Sequence, residues 1–318
     1  MSTKAVIGID TSNYTTSVAA ASESGEILFD ERKLLVVPEE KRGLRQQEAL
    51  FQHIENLPGL IGNAEETLRG LKIKAVAASV SPRPVEGSYM PVFECARSFG
   101  SSLAGVLGVP FLACSHQEGH IRAAQIGNGI EGRFAFFHLS GGTLEAVDSK
   151  TGAILAKTLD LSFGQLIDRT GVKLGMRFPA GKEMDRLAGE WNGTDGLLRI
   201  PRSDTKQEGI NLSGQETFLM QRIEALPDPV TDMDKQVVAA SLFRFIADTL
   251  AGMIRRIETQ YGIESFLLAG GVSSSTVIRE RLAETLEGGS PGIRFGKPQY
   301  CTDNAVGTAL IGKDRTFG

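Results

Sequence analysis

A run of three short apolar strands, then alternating helix and strand, occurs twice along this chain, and that repeat restricts the fold more than any other feature. In the first copy, residues 5–9 and 17–21 read as strands and 26–32 as a third. They form an antiparallel meander whose first turn, Asp10-Thr11-Ser12-Asn13, is polar and hydroxyl-rich. Helical spacing follows over 45–57, a buried strand over 75–80, a helix over 92–107 and a strand around Phe111. Two prolines in the loop from Ser81 to Ser88 exclude regular helix or central strand there. In the second copy, 134–139, 144–147 and 154–159 are strands, with Ser140-Gly141-Gly142-Thr143 as the first turn. An insertion of helices and loops spans about 164–230. A long helix over 234–261, a strand over 266–269, a helix over 275–286, a strand over 293–295 and a last helix from Thr302 complete the pattern.

Alternation of this kind builds a central sheet with helices on its faces. Two such halves around a central cleft form the α/β architecture shared by actin, hexokinase and Hsp70 (ASKHA), and that fold is expected here. The glycines between Gly127 and Gly132 interrupt the pattern, so the expected halves are 1–128 and 129–318. A length of 318 residues suits two domains. The net charge of -4 offers no basic nucleic-acid surface in the totals, though a local patch is compatible with it. Three scattered cysteines do not make a disulfide framework and fit a reducing cytosol. No apolar run approaches the roughly 20 residues that span a bilayer, and the chain enters a strand at once, without the look of a signal peptide. A cytoplasmic protein without membrane association is expected.

The chemistry concentrates in Ser115-His116-Gln117-Glu118-Gly119-His120, after the apolar run 110–114. Of the four histidines, His116 and His120 stand at i and i+4, on one helical face, where both imidazoles can reach one metal ion. A solvated polar face would show the same spacing. The metalloprotease pattern needs Glu directly after the first His. Glu118 comes two residues after it, about 200° around the helix. His138 ends a strand, and Asp303 is expected to start the last helix, where an acid is otherwise an N-cap or a first-turn charge. Together the four would complete a site suited to zinc or iron.

Gly141-Gly142 and Gly270-Gly271 both follow strands, as turns that bring backbone N–H groups near phosphate do. Plain turns look alike, but two in corresponding places point to an adenine nucleotide. Asp168 and Asp185 are candidates to accept from ribose hydroxyls, or else are surface helix residues. His53 reads as a helix-face residue, and no reactive-cysteine context is evident.

With these blocks in view the chain resembles the tRNA threonylcarbamoyladenosine synthase (TsaD-like) family, formerly labelled glycoprotease or O-sialoglycoprotein endopeptidase. Resemblance covers nearly the whole chain. It rests on Gly8-Ile9-Asp10-Thr11-Ser12, the histidine block, Ser140-Gly141-Gly142, Gly164 to Asp168, the Gly181 region, Ala269-Gly270-Gly271-Val272 and Cys301-Thr302-Asp303-Asn304. It implies an acyltransferase, not a protease, that moves a threonylcarbamoyl group from an adenylate to tRNA adenosine. It also implies one Fe or Zn ion on His116, His120 and Asp303, with His138 in place of a further ligand. Asp10, Thr11 and Ser12 become catalytic candidates. Ser140, Gly141, Gly142, Asp168, Gly181, Asp185, Gly270, Gly271 and Ser275 become nucleotide and substrate contacts. Implied partners are tRNA, the proteins that make or deliver the adenylate, and a second subunit in a homo- or heterodimer.

Departures cluster around the expected cleft. Asn13-Tyr14 stands for Cys-Asp, Ser81-Pro82-Arg83-Pro84 for a Gly-Pro-Gly loop, Gly142 meets Thr143 with one residue missing, and Ser275 aligns with an asparagine. They suggest a divergent paralogue whose Arg83 contacts substrate through its guanidinium. A carbamoyl-type transferase with a non-tRNA acceptor, and a non-catalytic partner of the same fold, are the competing functions.

Overall fold

The computed structural model describes residues 2–12, 14–37, 44–142, 144–193, 196–286 and 292–318. Asn13 and Thr143, named in two of the turns above, lie outside the described residues. The chain forms two compact units. The first opens with β1 (Thr3–Thr11), β2 (Thr15–Ser22) and β3 (Ile27–Leu34). Helices α1 (Gln46–Asn63) and α2 (Glu65–Arg69) lead to β4 (Leu71–Ser81). Then come α3 (Phe93–Leu107), β5 (Phe111–Ser115) and α4 (His116–Ala124). The sheet order is β3-β2-β1-β4-β5. The first three strands pair antiparallel, while β4 and β5 add in parallel on the far side of β1.

The second unit repeats this plan. It contains β6 (Ala135–Leu139), β7 (Leu144–Asp148), β8 (Ile154–Thr158), α5 (Phe163–Lys173) and α6 (Gly181–Glu190). It continues with β9 (Gly209–Ile210), α7 (Ser213–Glu224), α8 (Asp232–Tyr261), β10 (Ser265–Ala269), α9 (Thr276–Leu286) and β11 (Gly292–Phe295). Its order, β11-β10-β6-β7-β8-β9, is that of the first sheet with one short strand added at the edge. Helix α8 is the spine of this core. Thr231 and Asp234 form its capping box, and Gly262 ends it at φ 63°. Phe243, Ile246, Leu250, Ile254 and Ile257 recur at helical spacing and pack with Phe137, Leu139, Phe266 and Leu268 of the sheet. By length and composition alone this helix could cross a membrane, which differs from the expectation of no such stretch, but 78% of its apolar window is buried inside the fold.

Helix α10 (Val306–Phe317) overturns part of the expected division. The second half was to run from 129 to 318, yet Gln299–Gly318 pack with Met1–Ile126 and the second unit is Gly127–Pro298. The reason is steric and apolar. Ala305, Val306, Ala309 and Leu310 bury against Ala19 and Ala21, covering the sheet face opposite α1 and α3. Gly8 lets the helix rest on β1, since a Cβ there would stand 2.4 Å from the Ala309 nitrogen. The helix also begins later than Thr302, with Ala305 as N-cap, so Asp303 lies in the preceding turn and does not start it. Helix α1 runs past its expected end at Leu57, through Pro58, to Asn63.

Candidate metal centre

Ser115 ends β5 and caps α4: its hydroxyl accepts from the Glu118 N–H at 3.2 Å, while Glu118 accepts from the Ser115 N–H at 2.7 Å. This capping box gives Glu118 a structural task and fixes the first turn that carries His116. One turn on, His120 is buried at 7% exposure. The two Nε2 atoms stand 2.9 Å apart. Asp303 Oδ1 lies 3.2 Å from Nε2 of His120 and 3.6 Å from Nε2 of His116. The three donor atoms therefore lie within 4.8 Å of one another.

The other side of the His116 ring is held too. Its Nδ1 donates to Asp10 Oδ1 at 2.8 Å, at the end of β1, and the Ser79 hydroxyl of β4 donates to the same oxygen. Burial opposes charge on His116, but the carboxylates of Asp10 and Asp303 outweigh it, and the imidazole is pushed up to about 10. Burial would raise the Asp303 carboxyl, yet its hydrogen bonds with His116 and His120 and their charge hold it well below the usual range. Asp10 Oδ2 is buried with no hydrogen-bond partner among the described residues. A convergent pair of imidazoles and a carboxylate, backed by a second carboxylate on the outer ring nitrogen, is the donor chemistry that zinc and iron take. The residues fit such an ion.

The remaining first-unit candidates are placed as follows. Thr11 Oγ1 donates to the Val92 carbonyl at 2.8 Å and accepts from the Ala96 N–H at 3.1 Å, tying β1 to α3. Ser12 Oγ donates to the Thr15 carbonyl at 3.4 Å. Arg83 is half-buried in a loop closed by two bonds: Ser81 Oγ donates to its carbonyl and its N–H donates to Ser88 Oγ, each at 3.0 Å. The loop docks on α4, because Pro82 O accepts from the Gln117 N–H at 3.0 Å. His53 lies on a face of α1, as expected, and that face is the packed one. It is fully buried, with Nδ1 2.8 Å from Thr16 Oγ1, because α1 packs it onto β2 beside Asn56. Cys95 and Cys114 are pushed by burial up to about 11 and about 12, which leaves them inert thiols.

In the second unit, His138 lies on β6 with its ring stacked 6.3 Å from Phe136. Ser140, Gly141 and Gly142 form the turn after β6, and Ser162, the N-cap of α5, donates to the Gly141 carbonyl at 2.6 Å. Gly270 ends β10 at φ +109°. No atom comes within 4 Å of where a Cβ would stand on Gly141, Gly142, Gly181 or Gly271, so these backbones border open space. Asp168 accepts from the Ala180 N–H at 2.8 Å, at the start of α6; burial nonetheless raises its pKa. Asp185 accepts from the Ser275 hydroxyl, which itself accepts from the Ile278 N–H at 3.2 Å and so caps α9.

Sequence reading missed Ser79 and the part played by Asp10 as the carboxylate that orients His116. A serine inside the apolar strand Ala77-Ala78-Ser79-Val80 was the available signal. It also missed Gly307, where a Cβ would stand 1.8 Å from the Gly119 carbonyl oxygen, so that α10 and α4 touch through backbone.

The family model described as tRNA N6-adenosine threonylcarbamoyltransferase (TsaD) matches residues 36–310. A protein of that name from Neorickettsia sennetsu is 31% identical over 321 residues, covering 99% of this chain and 94% of its own. Among solved structures, component A of (R)-2-hydroxyglutaryl-CoA dehydratase from Acidaminococcus fermentans has a TM-score of 0.59 at 15% identity, covering 99% of this chain and 100% of its own. A ROK family glucokinase from Streptomyces griseus has a TM-score of 0.52 at 15% identity, with coverage of 96% and 98%. These two show the expected ASKHA fold and nothing finer. The family match spans most of the sequence and the relative nearly all of it, and the chain belongs to the tRNA N6-adenosine threonylcarbamoyltransferase (TsaD) family, a family of transferases.

Proposed function

We propose that the protein transfers a threonylcarbamoyl group from an adenylate to the exocyclic amine of an adenosine in tRNA. The observation that carries this reading beyond family membership is the meeting of His116, His120 and Asp303 at one point, with Asp10 holding the His116 ring. One iron or zinc ion would be held by these three, and the sequence offers His138 as a fourth ligand. Bound there, the ion would supply Lewis acidity toward the carbonyl under attack. Asp10 keeps Nε2 of His116 turned toward the donor cluster by occupying Nδ1. The open backbones at Gly141, Gly142 and Gly271 suit the adenylate phosphate, and Asp185 with Ser275 suits its ribose. In the transfer the adenosine nitrogen bonds to the carbamoyl carbon, the bond from that carbon to the adenylate oxygen breaks, and the amine loses a proton. Partner proteins would make or deliver the adenylate, in the cytoplasm.

A second reading, transfer to a different acceptor, is favoured by the proline-stiffened loop carrying Arg83, which docks on the metal helix at Gln117. Both readings are tested in cells lacking their own synthase, with the family's partner proteins supplied. Mass spectrometry of tRNA nucleosides then measures threonylcarbamoyladenosine. Restoration that His116→Ala abolishes supports transfer to tRNA. No restoration by a protein that is folded and metal-loaded supports the second reading. Full restoration undiminished by Arg83→Ala makes the altered loop a tolerated variation.

A further inference from the structure

The second unit carries a cavity of about 650 Å³ walled by the loop at 197–205, α8 and α9, and none of the residues discussed above as metal or nucleotide candidates lines it. That volume falls within the range of about 300–1,000 Å³ usual for small-molecule and cofactor sites. The loop is fastened over α8: the Leu198 N–H donates to Ser241 Oγ at 2.8 Å, and Thr205 lies against the bare backbone of Gly252.

Five arginines converge on this hollow, Arg199 and Arg202 from the loop, Arg244 and Arg255 from α8, and Arg281 from α9. One carboxylate, Asp248, is among the lining residues, and Arg281 Nε already donates to it at 3.1 Å. Arg255 donates to the Thr285 carbonyl. Arg199, Arg202 and Arg244 have no hydrogen bond or ion pair among the described residues. Ser203 Oγ, in the same wall, is buried and likewise without a hydrogen-bond partner among the described residues. In a chain of net charge -4, this is a strong local excess of positive charge. Guanidinium groups repel one another when gathered, and their planar forks match phosphate oxygens in pairs. The buried Phe245 and the half-buried Leu198 and Ile200 add an apolar wall for the carbon part of a ligand. A nucleic-acid surface spreads its cations along a patch or stripe. Here they surround one pocket.

We propose that this cavity binds a small organic polyphosphate of nucleotide size, with its phosphates on the arginines and its apolar part against Phe245. The proposal does not rest on the transfer reaction or on the metal centre.

The test is calorimetric titration of the full chain with sodium tripolyphosphate at physiological ionic strength. One saturable site is expected. Arg202→Ala/Arg244→Ala, which removes two exposed and unpaired side chains, should weaken it by roughly tenfold or more. Arg202→Lys/Arg244→Lys should recover part of the loss, as charge without the fork would. Asp185→Ala should leave tripolyphosphate affinity unchanged, which separates this pocket from the nucleotide contacts proposed above. Absence of saturable binding, or equal affinity in the folded double alanine variant, overturns the proposal. So does a double variant that loses affinity for tRNA while the native chain ignores tripolyphosphate; the arginines would then be an RNA-contacting surface.

Discussion

The Asp10 carboxylate accepts from Nδ1 of His116 at 2.8 Å, which orients the ring so that its other nitrogen, Nε2, faces His120 and Asp303. Asp10 sits at the end of β1 and His116 at the start of α4, so the sheet itself aims the ligand. A carboxylate in this position raises ligand basicity, and its loss commonly costs about 10–100-fold in metal affinity. Native protein should carry one iron or zinc ion per chain, and His116→Ala/His120→Ala should carry none. Asp10→Ala should bind the ion with that reduced affinity. Elemental analysis and chelator competition measure both; equal metal content in native protein and the double histidine variant would remove the metal centre.

Asp185 and Ser275 form a pair at the start of α9. If the pair meets the ribose, Asp185→Ala should weaken adenine-nucleotide binding by roughly 1.5–3 kcal/mol, the usual worth of a hydrogen bond to a charged group. Calorimetry with AMP and ATP analogues reads this out. An unchanged affinity would leave Asp185 as a support for the α9 cap alone.

Gly307 of α10 approaches the Gly119 carbonyl so closely that a Cβ would lie 1.8 Å from the oxygen. Backbone on both sides leaves no flexible side chain to yield. Gly307→Ala should destabilise the protein by about 1–3 kcal/mol, as overpacking does. It should also loosen metal binding, because α10 follows directly on the turn that holds Asp303. Urea unfolding and metal titration of one preparation test the coupling; a loss of stability with native metal affinity would show that Asp303 is positioned independently of α10.

Asp160 is one source of acid sensitivity. Burial acts to raise its pKa, but hydrogen bonds from Leu212, Ser213 and Leu161 outweigh it and hold the carboxyl below its ordinary value of 3.8. Because the folded-state pKa is depressed, the carboxylate contributes stability fully above that ordinary value. The contribution is lost as pH falls through the lower folded-state value. Asp160→Asn keeps an acceptor but no titration, so its unfolding midpoint should vary less than that of the native protein between about pH 5 and about pH 2. Identical slopes would assign the acid response to other carboxylates.

Sequence alone determined the repeated order of strands and helices, because period, turn residues and caps act over a few neighbours. It also determined that His116 and His120 share a helix face, since i and i+4 are one turn apart. Asp303 and its block were legible by resemblance, though its place in the turn before α10 was not. Tertiary packing decided the rest. The return of α10 to the first unit follows from backbone contact at Gly8 and Gly307, which no local pattern announces. The burial of His53 follows from how α1 lies on Thr16 of β2. The use of Asp10 as the carboxylate behind His116 needed β1, β4 and α4 side by side, since Asp10, Ser79 and His116 are remote in the chain and meet only when the parallel strands pair. Short-range geometry is written in spacing, whereas long-range contacts exist only once the sheet has aligned them.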